Sequence, residues 1–350
     1  MAAPGPKGAK EVIRAQKGTY EVVKAVGTGT FGSIYKVKRE GDNMTFAMKC
    51  ESLKLKRSLL RQASSVLAAC TIQSPHFVIS EERGTVPNRF LFIIYPLLGK
   101  NLVDLISETT DGKYTLPTCL HLAEQTLSAV RDLHRNGFIH RDIKPSHFCV
   151  GLEDNKTHHF VYFIDFGFCK RPKGVGEETK DDGDEEEKKL RKGVNYRGIL
   201  KYASLNAHRS KPVGYKDDME SWFYMVIEFL MHGLPWNSLH KQNEKEVMGM
   251  KEFYRKEENF AKMFRQPDVA HNFHLILKSI DNVKEPSEYC DYDKIWVLID
   301  ECFTKTKSNR MAPPDWDCMT DYLGPAYKLG QVEIKAPAPP PAPAPANPEN

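Results

Sequence analysis

The chain predicts an α+β fold in which a small sheet-rich part precedes a larger helical part. Three features carry the prediction. Strand signals broken by glycines fill Tyr20 to Lys49, and apolar residues recur at helical spacing from Pro117 onward. Trp222–Met231 is apolar nearly all round, as a helix buried inside a sizeable lobe is.

Each element follows from local chemistry. Tyr20–Val26 is apolar with β-branched residues, and Gly27, Gly29 and Gly32 punctuate the next segment. Ser33–Lys38 and Met44–Cys50 resume the strand pattern, Lys56–Cys70 reads as a helix, and Phe90–Leu98 reads as a buried strand running into a connector. Between Pro117 and Asn136, Leu120, Leu127, Val130 and Leu133 fall mostly at three- and four-residue spacing, and Gly137 supplies the stop. Ile295–Phe303 is a further helix. Residues 1–17 are small and polar and are expected to form a loose arm. Residues 336–346 contain only Ala and Pro, so a disordered, extended tail is expected over 326–350. The folded domain is therefore expected over 18–325, with its smaller lobe over 18–96 and its larger lobe over 97–325.

Composition narrows the class. A chain of 350 residues, 41% hydrophobic and 27% charged, is neither wholly disordered nor fibrous. Its longest apolar stretch, Phe90–Leu98, is nine residues, too short to span a bilayer, so no membrane is expected as a partner. The first residues contain no apolar core, so no secretory signal is expected. Eight scattered cysteines include no C-x-x-C pair, which fits reduced thiols in the cytoplasm, with the nucleus as the alternative. The net charge of +4 conceals polarity: Glu177–Glu187 carries eight acids and one lysine, whereas 188–216 carries nine Lys/Arg and no acid. A basic stretch attracts nucleic acid, membrane or acidic protein segments.

The chemistry-bearing residues come in order. Gly27-Thr28-Gly29-Thr30-Phe31-Gly32 fits G-x-G-x-x-G, and strand pattern rather than helix comes after it. A glycine loop between two strands lets backbone amides lie over nucleotide phosphates, and Lys49 in Ala47-Met48-Lys49 reaches the same phosphates. Ile139-His140-Arg141-Asp142-Ile143-Lys144-Pro145 then supplies Asp142 to accept a hydroxyl proton and Lys144 to steady a transferring phosphate. Phe163-Ile164-Asp165-Phe166-Gly167 supplies Asp165 as a Mg²⁺ ligand.

Taken together with Lys201-Tyr202-Ala203-Ser204-Leu205-Asn206, Asp217-Asp218-Met219-Glu220-Ser221-Trp222-Phe223-Tyr224 and Gly233-Leu234-Pro235-Trp236, these motifs resemble the eukaryotic protein kinases of the casein kinase 1 superfamily, nearest its tau-tubulin kinase branch. The resemblance covers about residues 18–325. It implies the bilobal protein kinase fold, a small antiparallel sheet with one helix above a mainly helical lobe. It also implies ATP with Mg²⁺, or Mn²⁺, as cofactors and Ser/Thr of proteins as substrate. Asp218 is then expected to hold the backbone of the His140-Arg141-Asp142 loop. Tyr95 is expected as gatekeeper and Pro96–Leu98 as the connector that meets adenine, with Ala47 and Leu98 lining the pocket.

Three positions depart from the family pattern. Ala63 stands where the family places the glutamate that pairs with Lys49, and no acid occurs between Glu51 and Glu81. Gln62 and Glu51 are the nearest substitutes, though neither is a close geometric match. His147 stands where the family places Asn as second metal ligand, and a neutral imidazole suits softer ions than Mg²⁺. Ile199 stands where the family has a Thr bridging Asp142 and Lys144. Two functions therefore stay open: a serine/threonine kinase with weakened catalysis, or a nucleotide-binding pseudokinase acting as an interaction module. The 188–216 run has no helix-turn-helix or aromatic-rich signature, so nucleic acid is not expected, and the protein is expected to be monomeric. In the kinase reading Lys188, Lys189, Arg191, Lys192, Arg197 and Lys201, with Arg209, Lys211 and Lys216 nearby, favour acidic or phosphorylated substrates. Glu177–Glu187 is either a competitor for that patch or a solvated loop.

Overall fold

The structure is a computed structural model that describes residues 6–7, 10–28, 32–55, 57–71, 74–109, 111–172, 197–239, 243–264 and 266–317. Six antiparallel strands form one sheet: β1 (Val12–Arg14), β2 (Thr19–Thr28), β3 (Gly32–Arg39), β4 (Thr45–Ser52), β5 (Glu82–Val86) and β6 (Phe90–Pro96), in the order β1-β2-β3-β4-β6-β5. In β2 the alternation buries Tyr20 and Val22, after which every residue to Thr28 is exposed. Register shifts between Val22 and Lys24, and again between Ala25 and Gly27, mark where this strand leaves the core and carries the glycine segment outward. Gly32 opens β3 against β4, where a Cβ would lie 2.0 Å from the Cys50 carbonyl oxygen, so only glycine fits that approach.

The amino-terminal arm corrects the expected boundary at residue 18. Val12–Arg14 adds an edge strand to β2, Ile13 enters the sheet core, and Arg89 pairs with Glu11. Glu82–Val86, not foreseen as a strand, pairs with β6. Helix α1 (Leu59–Cys70) starts three residues later than expected because Ser58 accepts from the Arg61 amide and caps it. Its buried residues Ala63, Val66, Leu67 and Cys70 join the large core of the helical lobe rather than the sheet core.

The chain enters that lobe after Pro96. Gly99 donates its amide to the Val150 carbonyl at 2.9 Å, tying the connector to the hairpin of β7 (Phe148–Val150) and β8 (Val161–Phe163). The short α2 (Leu102–Ile106) precedes α3 (Leu116–Arg135), which ends where Gly137, at φ +81°, takes the left-handed conformation. The later helices are α4 (Arg197–Tyr202), α5 (Leu205–His208), α6 (Tyr215–Met231), α7 (Glu244–Phe253), α8 (Glu257–Phe260), α9 (Pro267–Asn282) and α10 (Tyr292–Lys305). Trp222 of α6 is fully buried, and its indole donates to Thr126 Oγ1 of α3 at 2.9 Å, locking the two central helices. No helix among the described residues is long and apolar enough to cross a membrane.

Candidate active site

Four side-chain contacts run in series beneath the sheet. Lys49 on β4 lies 2.7 Å from Asp165 Oδ1, and Lys144 lies 2.7 Å from Asp142 Oδ2. His147 sits between these pairs, with Nε2 3.8 Å from Asp165 Oδ2 and 3.8 Å from Asp142 Oδ2. The other ring nitrogen, Nδ1, is 2.8 Å from the Asp142 carbonyl oxygen, which only accepts. Nδ1 therefore carries the proton, and Nε2 presents a lone pair toward both carboxylates. Burial, assisted by the Lys144 charge, pushes the His147 imidazole down to about 3, so the ring is neutral at physiological pH. Burial opposes ionisation of Asp165 too, but the Lys49 ammonium outweighs it and holds the carboxyl well below the usual range.

Backbone geometry fixes these groups. Arg141 and Asp165 adopt positive φ, 69° and 67°, conformations that cost non-glycine residues about 1–3 kcal/mol each. Asp218 holds the first bend. Its Oδ1 accepts from the Arg141 amide at 2.8 Å, its Oδ2 accepts from the His140 amide, and His134 Nε2 lies 3.0 Å from Oδ2. Burial works against the charged form of Asp218, yet His134 and the amides keep its carboxyl below the usual range. Arg141 anchors the second bend by donating Nε and Nη2 to the Phe168 carbonyl at 2.9 and 2.6 Å. Phe166 is buried against Phe77, Phe163 and His140, and Gly167 leaves room for Leu59 of α1.

Most of the expected site residues come together. Asp142, Lys144, Lys49, Asp165 and His147 converge, and Asp218 holds the loop as expected. Ala47 pairs in register with Tyr95, which is half-buried, and burial raises the Tyr95 phenol well above its ordinary value. Leu98 stands just beyond β6 in the connector, Gly27 lies near the exposed end of β2, and Gly29 falls outside the described residues. Ala63 is buried in α1, and neither suggested substitute reaches Lys49. Glu51 Oε2 instead accepts from the Leu59 and Leu60 amides at 2.7 and 2.9 Å, capping α1, and Gln62 lines an outer groove with Arg61 and Ser65. The side chain of Ile199, residues 188–196 and the acidic run lie outside the described residues.

The expected substrate patch needs correction. Lys201 is paired with the largely buried Glu228, which takes it out of the patch, whereas the Arg209–Glu252 pair lies on the surface and leaves Arg209 exposed. Sequence reasoning also missed His134, and it named Glu51 only as a substitute partner for Lys49 rather than as the cap of α1. No local pattern marks either, because His134 meets Asp218 across 84 residues and Glu51 serves a helix that begins eight residues later.

The class defined by this sheet, helical lobe and lysine–carboxylate series is that of the protein kinases, and the chain belongs to that family. A profile of the protein kinase domain matches residues 20–320. Two relatives place it further. The chain is 31% identical over 305 residues to a probable serine/threonine-protein kinase of Dictyostelium discoideum, an alignment covering 87% of this chain and 58% of that protein. It is also 31% identical over 305 residues to the serine/threonine-protein kinase spe-6 of Caenorhabditis elegans, covering 85% of this chain and 75% of that protein. The chain thus spans little more than half the length of the first relative.

Proposed function

We propose that this protein is a serine/threonine protein kinase of casein kinase 1 type, with slow transfer of the ATP γ-phosphate to protein Ser or Thr. The carrying observation is the Asp142–Lys144 pair at 2.7 Å. Lys144 occupies one carboxylate oxygen, leaving the other to receive the proton of a substrate hydroxyl. A protonated Lys144 beside it balances charge that develops on the phosphoryl group. Lys49 is the nucleotide-side cation, and the glycine edge of β2 and β3 covers the phosphates. Asp165 and His147 Nε2, whose facing atoms are 3.8 Å apart, would hold a divalent ion, which would supply charge neutralisation to the phosphates. The imidazole favours Mn²⁺ over Mg²⁺ at this position, which supports weakened catalysis in Mg²⁺.

The rest of the reading concerns context. Acidic or phosphorylated protein substrates are supported by the basic composition of 188–192, now without Lys201. A reducing cytoplasm is supported by seven buried free thiols among the described residues. A second reading, a nucleotide-binding pseudokinase, is favoured by the absence of any acid in α1, which leaves Lys49 paired with Asp165. Purified protein, labelled ATP and casein separate the two. The kinase reading expects slow incorporation that disappears in Asp142→Asn; equal incorporation in both proteins, or none with either metal, favours the pseudokinase.

A further inference from the structure

Far from the nucleotide site, the end of the described chain is anchored by three consecutive residues. Asp315 accepts from the Thr115 amide and hydroxyl at 2.5 and 2.7 Å, at the start of α3. Trp316 packs edge-on against Tyr114 and donates its indole N–H to the His158 carbonyl at 2.9 Å. Asp317 then meets two histidines. Its Oδ2 is 2.6 Å from His159 Nε2, and its Oδ1 is 3.8 Å from His158 Nε2.

The turn before β8 brings two neighbouring imidazoles to one side: His158 and His159 have ring centroids 3.8 Å apart and both Nε2 atoms face one carboxylate. Gln125 of α3 clamps the turn, donating to the His159 carbonyl and accepting from the Val161 amide. The carboxylate is almost fully enclosed, with Asp317 at 2% side-chain exposure.

We propose that His158, His159 and Asp317 form a binding site for a Zn²⁺-class ion that fastens the end of the helical lobe to the β7–β8 hairpin. One ligand atom from each of the three residues lies within 4.8 Å of the other two. Ligands about 2.0–2.2 Å from a tetrahedral ion stand about 3.5 Å apart, so shifts of roughly 1 Å close the set. Two imidazoles and one carboxylate select borderline ions such as Zn²⁺ over Mg²⁺ and Ca²⁺, which prefer oxygen alone. The ion replaces the proton shared by His159 Nε2 and Asp317 Oδ2, and that proton leaves to solvent. A fourth position is left for water or another donor. The site depends on nothing in the kinase reading.

The test uses the full chain with Zn²⁺ and Co²⁺ as probes. Saturating Zn²⁺ is expected to raise the melting temperature by about 5 °C by mass action, and Co²⁺ is expected to give visible ligand-field absorption. His158→Gln and Asp317→Asn should each weaken Co²⁺ binding at least about tenfold, read as a metal-induced increment so that any loss of basal stability cancels. His147→Asn should leave intact the part of the signal that His158→Gln and Asp317→Asn remove. A signal lost in His147→Asn but kept in the other two assigns the metal to the nucleotide site and overturns the proposal, as does the absence of any signal in the unmodified protein.

Discussion

Lys49 Nζ lies 2.7 Å from Asp165 Oδ1, and helix α1, Leu59–Cys70, contains no acidic residue to offer it a second carboxylate. The residue intended for phosphates is thus paired with the residue intended for the metal. Ala63→Glu gives Lys49 a second partner and frees Asp165. We expect kcat for casein to rise about tenfold or more, with Lys49→Met abolishing the gain. No change in kcat would show that Asp165 alone positions Lys49 adequately.

The proposed ligand role of His147 sets a metal preference that can be measured. The Asn amide oxygen is a harder ligand than the imidazole nitrogen it replaces, so His147→Asn should raise turnover in Mg²⁺ about 10-fold to 100-fold and remove the advantage of Mn²⁺. The measurement is initial rate in each metal at fixed free ion. A Mn²⁺ advantage that survives the substitution counts against the ligand role.

Tyr95 pairs in register with Ala47 and is half-buried, as its proposed gatekeeper role requires. ATP with either metal should raise the melting temperature, whereas inhibitors that extend past this side chain should bind weakly until Tyr95→Ala opens the route. Thermal shift with both ligand types checks this, and a large inhibitor stabilising the unmodified protein as strongly as the variant would contradict it.

Asp218 is buried against His134 and two backbone amides. Asp218→Ala leaves all three donors without their acceptor. The expected cost is about 3–5 kcal/mol in denaturant unfolding, with loss of activity because Asp142 rides on the same loop. A loss below about 1 kcal/mol would mean that water replaces the carboxylate freely.

Lys251 gives a pH signature. It is buried on α7, donates to the Leu200 and Ala203 carbonyls at 2.8 and 2.7 Å, and lies over the rings of Tyr224 and Trp236. Burial lowers its ammonium to about 7. The unfolded chain therefore holds this proton up to about pH 10.4, while the folded chain releases it near 7. Between those values unfolding free energy should rise with pH, by at most about 1.4 kcal/mol per unit from this residue. Comparing the pH slope of Lys251→Met with that of the unmodified protein isolates it; equal slopes would refute the assignment.

Much of the architecture was legible along the chain because its signals are local. Strand alternation around Tyr20 and Val22, the periodicity of α3 and the glycine after it depend on neighbours within a few residues. Val12–Arg14 and Glu82–Val86 were not legible, because each is an edge strand too short, at three and five residues, to show an alternation of its own. Their strand character comes from the partner, β2 in one case and β6 in the other.

The site divides along the same line. The sequence by itself determined which groups are available: the lysine on a strand, the Asp142–Lys144 spacing, Asp165 before Phe166-Gly167, and the departures at Ala63, His147 and Ile199. Tertiary structure alone decided their partners. It turned Glu51 into the cap of α1, gave Lys201 and Arg209 to Glu228 and Glu252, and set His147 Nε2 between two carboxylates. It also brought Asp317 to histidines 158 residues away. A charge or lone pair is a property of one residue, but its partner is settled by which distant segments the packed core forces within about 3–4 Å.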